Sequence, residues 1–99
     1  MVYGALAARF RVLGMDVRKE ICAVIRQVAE ESNKDLVDPF RDDTVLLQSG
    51  LDSLDFAIIV ARLEEELNAD PFATMDEPVY PRTLADFVRI YEEHFAQGQ

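Results

Sequence analysis

From Val17 onward the apolar residues recur at helical spacing. Val17, Ile21, Val24, Ile25 and Val28 share one face of a 3.6-residue period. Asp16 precedes them as a good N-cap and Asn33 follows as a helix stop, so a first helix is predicted from Val17 to about Ser32. A second is predicted from Ser53 to about Leu67. Leu54, Ala57, Ile58 and Ala61 set its period, and Leu63 and Leu67 continue it. Phe56, Ile59 and Val60 make it apolar over more than one face. A last helix follows Thr83, an N-cap with Asp86 three residues on, close to a capping box. Its stripe is Leu84, Phe87, Val88, Tyr91 and Phe95. No segment alternates with period two for long enough to predict a strand.

The connections are long. Asn33 to Asp52 contains Asp38-Pro39, Asp42-Asp43-Thr44 and Ser49-Gly50, all turn signals. A loop of that length in a compact domain needs anchors, and Leu36, Phe40, Val45, Leu46 and Leu47 are the candidates. Asn68 to Pro81 holds Asp70-Pro71, Glu77-Pro78 and Tyr80-Pro81, which exclude a long helix and leave room for one short turn around Phe72 to Met75. The order is therefore long helix, long loop, helix, short helix, helix. Residues 1–14 hold Arg9 and Arg11 but no acid, and end at Gly14. They read as an N-terminal extension, disordered or weakly helical, ahead of a folded domain over 15–99.

Charge narrows the function. The 99 residues make one domain, with 19 acids against 10 bases and a formal charge of -9. Binding to nucleic acid needs the opposite balance, so nucleic acid is excluded as a partner and basic proteins are favoured. Cys22 is alone, which rules out an internal disulfide and fits a reducing cytoplasm. Cys22 and the single His94 cannot make a zinc site by themselves. The loop acids do not follow the Asp-x-Asp-x-Asp-Gly calcium pattern, so no metal is expected. No apolar run approaches the ~20 residues that span a membrane. Arg9 and Arg11 follow the first apolar residues rather than precede them, unlike a signal peptide. A cytoplasmic monomer is expected.

The candidate chemistry lies in Gly50-Leu51-Asp52-Ser53-Leu54-Asp55-Phe56. A serine directly after an aspartate, where a loop enters a helix, presents its hydroxyl beside the positive end of the helix dipole. A phosphate ester is well placed there. The motif alone is also simply a good helix start, since Asp and Ser both favour N-cap positions. Ser32 and Ser49 read as helix-end and turn residues. His94 has no motif around it that would pair it with a serine nucleophile.

Leu51-Asp52-Ser53-Leu54-Asp55, leading into Leu63-Glu64-Glu65-Glu66-Leu67 within this helix order, resembles the acyl carrier proteins over most of residues 16–96. The resemblance implies an all-α, four-helix bundle of acyl carrier type, with a long loop between helices one and two and a short third helix. It implies that Ser53 carries 4'-phosphopantetheine, taken from coenzyme A by a phosphopantetheinyl transferase. Asp52 would cap the helix and help place the transferase's magnesium. Leu54 would anchor the helix, and Asp55 would complete the flanking motif that the transferase recognises. The protein would be a non-catalytic carrier. A loading ligase and downstream synthase or transferase enzymes of fatty acid, polyketide or related biosynthesis would be its partners.

Two departures from that family point to a specialised stand-alone member. Fatty-acid-synthesis carriers usually present an acid one turn and a bit into helix two, where this chain reads Phe56-Ala57-Ile58-Ile59, with Arg62 further along. The segment from Asp70 to Pro81 is also longer and richer in proline than a housekeeping carrier's. Docking is expected at Ile58, Arg62, Glu64, Glu65 and Glu66, with Ile58 open between core and interface. Two further readings stay in play: an aminoacyl carrier loaded by an adenylating ligase, and an unmodified acidic helical adaptor for a basic partner.

Overall fold

The computed structural model describes residues 16–73 and 80–98. Three α-helices span Val17–Glu31 (α1), Ser53–Leu67 (α2) and Leu84–Gly98 (α3), with a 3-10 turn at Leu46–Gln48. Among the described residues no strand forms, and Val45 and Thr83 make an isolated bridge. The described residues are all-α, as the apolar pattern predicts. Residues 71–73 form a turn; the rest of the short helix expected around Phe72 to Met75, and with it the fourth helix of the expected bundle, lies outside the described residues, as does the extension over 1–14.

Each helix end is set by a local device. The Asp16 side chain accepts hydrogen bonds from the backbone N–H groups of Arg18 and Lys19. Past the end of α1, Asn33 takes a left-handed φ of 57°, and the Lys34 N–H turns back to donate to the Ala29 carbonyl at 2.8 Å. Asn68 ends α2 in the same way, with φ 53°. At α3 the near-capping box is real. Asp86 N–H donates to Thr83 Oγ1 at 3.2 Å, and Thr83 N–H donates to the Asp86 carboxylate at 3.1 Å.

The core lies between α1, α2 and α3. α1 contributes Ile21, Val24, Ile25, Val28 and Ala29, the face its period predicts. α3 contributes Leu84, Phe87, Val88 and Tyr91. Aromatic rings fill the space between α2 and α3: Phe87 meets Phe56 and Tyr91 edge-on at 5.9 and 5.4 Å, and Phe72 stacks on Phe87 at 6.2 Å.

The expected face of α2 is corrected. Phe56, Ile59, Leu63 and Leu67 are buried, whereas Leu54 is 68% exposed and Ala57 and Ala61 also face outward. Leu54 therefore does not anchor the helix; Leu51, just ahead of it, is buried in its place. A helix that is apolar over more than one face does not declare its inner face, and packing against its neighbours decides it.

The long loop is fastened at several points. Leu46 is buried, and Leu36 and Phe40 pack half-buried against the core, but Leu47 is 51% exposed and is no anchor. Successive residues of a 3-10 turn point in well-separated directions, so only one of the adjacent leucines faces inward. Leu46 N–H donates to the Arg82 carbonyl at 2.9 Å, and Leu84 N–H donates to the Thr44 carbonyl at 3.1 Å. These bonds tie the loop to the entrance of α3. The Arg18 guanidinium pairs with Asp42 and ties the loop to α1. Gly50 takes φ +110°, and a Cβ there would lie 2.3 Å from the Asp35 carbonyl oxygen, so only glycine fits.

Candidate functional site

The loop reaches α2 through Asp52, which stays extended and caps the helix. Its Oδ1 accepts from the Asp55 N–H at 2.9 Å, and Asp55 Oδ2 accepts from the Asp52 N–H at 3.0 Å. This reciprocal capping box fixes the two residues between them in the chain, Leu54 and, ahead of it, Ser53, the first residue of α2. Ser53 is exposed. Its hydroxyl stands in the positive field of the first helical turn, where an anionic ester is favoured.

The other serines are committed elsewhere. Ser49 is buried, with its hydroxyl donating to the Leu46 carbonyl at 2.6 Å. Ser32 is the half-buried C-cap of α1. Of the three serines in the sequence, Ser53 is the exposed one.

Asp55, expected in the flanking motif, is only 3% exposed. Its carboxylate is fully engaged, with Lys34 Nζ at 2.7 Å. The Lys34 ammonium, and next the Asp52 backbone N–H, hold Asp55 down to a pKa of about 2. Lys34 is shifted up in turn, by Asp55 first and then by Asp52, whose second oxygen lies 3.2 Å away. Lys34 was not singled out in the sequence. No motif surrounds it, and only the turn at Asn33 brings it to α2.

The expected docking residues divide. Ile58 is 36% exposed and lies at the surface rather than in the core. Leu54 is beside it on the same face, one turn nearer Ser53. Glu64, Glu65 and Glu66 are exposed at the far end of α2. Arg62 is instead paired with Glu31 at 3.0 Å, joining α2 to α1.

A cavity of about 390 Å³ opens beside Ser53. Phe56, Ala57 and Val60 of α2 form one wall, Phe87 of α3 another, and Phe72, Tyr80 and Pro81 complete it. The sequence signals neither its place nor its shape, because it is made where three separate segments meet.

The second helix of this helical domain thus opens on an exposed serine behind a fixed aspartate. Residues 19–75 match the family described as phosphopantetheine attachment site, and the chain belongs to it. The domain is the attachment site of a 4'-phosphopantetheine group. Neither the curated proteins nor the solved structures gave a match to this chain. Among the described residues no helix is long and apolar enough to cross a membrane.

The site fits the group. Ser53 has an exposed hydroxyl, a fixed backbone and open space beside it. When bound, the group supplies a terminal thiol that can hold an acyl unit as a thioester.

Proposed function

We propose that Ser53 is the attachment residue and that the chain is a carrier, loaded with an acyl unit by one enzyme and presented to others. The observation that carries this reading is the contrast among the serines: Ser53 alone is exposed, and it lies inside the matched region. The chain acts here as substrate and carrier rather than catalyst. A transferase joins Ser53 Oγ to the phosphorus of the 4'-phosphopantetheine unit of coenzyme A. The bond from that phosphorus to the adenosine 3',5'-bisphosphate leaving group breaks, and the hydroxyl proton passes to the transferase.

The partner surface in this reading is the outward face of α2. Leu54 and Ile58 provide an apolar contact next to Ser53, and Glu64, Glu65 and Glu66 an acidic one at the far end. Ile58 at a position where fatty-acid-synthesis carriers usually present an acid favours a specialised carrier, with an aminoacyl cargo as the second reading.

Incubation with coenzyme A and a broad-specificity transferase should add one phosphopantetheine by intact mass, and Ser53→Ala should add none. A modified alanine variant would move the attachment elsewhere. A parent chain that no transferase modifies would leave the unmodified acidic adaptor as the better reading.

A further inference from the structure

We propose that Lys34 is a positioning residue for the modification of Ser53: its ammonium, held between the two carboxylates that flank the serine, fixes Asp52 and offsets the negative charge that an incoming phosphate must approach. The inference rests on the carrier reading above and assigns a role to a residue outside the Asp-Ser-Leu run.

Lys34 starts from a fixed backbone. Its N–H closes the end of α1 onto Ala29 at 2.8 Å. The next carbonyl, that of Asp35, is pressed against Gly50, and Val37 N–H donates to the Ser49 carbonyl at 2.9 Å. The residues before and after the site are thus clamped together. The Lys34 side chain then runs from the C-terminal cap of α1 to the N-terminal cap of α2.

Asp52 is where this link acts. Its Oδ1 accepts from the Asp55 N–H, and its Oδ2 faces Lys34 Nζ. Both oxygens are held although the side chain is 61% exposed. Removing the ammonium frees one oxygen to rotate. It also leaves Asp52 and Asp55, two like charges, at a helix start that has to receive the anionic phosphates of coenzyme A. Repulsion of that kind acts over roughly 10 Å at moderate salt and is weakened by more salt.

The test uses the full chain and its Lys34→Gln and Lys34→Arg variants with coenzyme A and one broad-specificity transferase, followed by intact mass at low and moderate salt. Glutamine keeps a donor for Asp55 and removes the charge; arginine keeps the charge. Lys34→Gln should lose roughly tenfold in kcat/KM at low salt, with the loss shrinking as salt rises. Lys34→Arg should stay close to the parent. In the unmodified chains, the amide NMR signals of residues 52–56 should move in Lys34→Gln and hold in Lys34→Arg. Should Lys34→Gln fail to fold by circular dichroism, the Lys34→Gln/Asp55→Asn pair leaves no unpaired buried charge and restores the local net charge, so it should still be modified more slowly than the parent through the released Asp52 oxygen, by a smaller factor that does not change with salt. Modification of the glutamine variant, or of that pair, at the parent rate at both salt concentrations overturns the inference. So does an arginine variant as slow as the glutamine one. If all chains, parent included, go unmodified, the carrier reading itself fails and this inference with it.

Discussion

Lys34 Nζ lies 2.7 Å from the carboxylate of Asp55, and through that contact the end of α1 meets the beginning of α2. The contact has a pH signature. An unfolded aspartate titrates near 3.9, whereas Asp55 is held at about 2 in the folded chain. Its contribution to stability is complete above the unfolded value and is lost as pH falls through the folded one. Asp86, lowered chiefly by the Thr83 backbone N–H, acts in the same direction. Urea midpoints measured from pH 6 to pH 2 should fall steeply below about pH 4. The fall should be shallower in Asp55→Asn; an equal slope would show that Asp55 does not carry it.

The two sides of α2 should respond differently to truncation. Phe56→Ala empties a buried site and should cost about 3–5 kcal/mol in a urea melt. Leu54→Ala lies on the outer side and should stay within about 0.5 kcal/mol of the parent. Similar losses in the two variants would mean that the helix is rotated from the orientation described.

Ile58→Glu should separate fold from recognition. The side chain is at the surface, so stability should change by no more than about 0.5 kcal/mol. Loading by a cognate enzyme should weaken by about 1–2 kcal/mol if Ile58 is an interface contact of moderate weight. An unchanged loading rate with the cognate enzyme in hand would remove Ile58 from the docking face.

Gly50→Ala should be costly despite its small size. The new Cβ would meet the Asp35 carbonyl oxygen, and the φ of +110° suits glycine alone. A loss of about 2 kcal/mol or more is expected from equilibrium unfolding. A variant as stable as the parent would show that the loop can shift.

Tyr91→Phe runs the other way. The Tyr91 ring is fully buried, and its hydroxyl has no hydrogen-bond partner among the described residues. Burial also pushes its ionisation upward. Deleting that hydroxyl removes an uncompensated desolvation cost and should raise stability by about 1 kcal/mol. A clear loss would point to a partner for the hydroxyl.

Much of this was legible in the residues because the relevant signals are local. Asp16, Asn33, Asp52 and Thr83 mark helix ends through short-range hydrogen bonding, and each marks one here. The periods of α1 and α3 carry a single apolar stripe, and the stripe is the core. Besides the cavity, three things were not legible, each for want of a local cue. The inner face of α2 depends on its neighbours, since it is apolar over more than one face. Whether Leu46 or Leu47 turns inward depends on the pitch of a three-residue turn. Lys34 acts on residues 18 and 21 positions away, which no spacing rule connects.

The outward face of α2 has a consequence for how such a protein can change over evolutionary time. Leu54, Ala57, Ile58 and Ala61 stand clear of the core, while Phe56, Ile59, Leu63 and Leu67 secure the helix from behind. Substitutions at the four outer positions should leave folding almost untouched, so on the docking face proposed above selection on partner choice can act without a penalty in abundance. A descendant could acquire a different client enzyme by drift across one surface, keeping the same interior and the same serine.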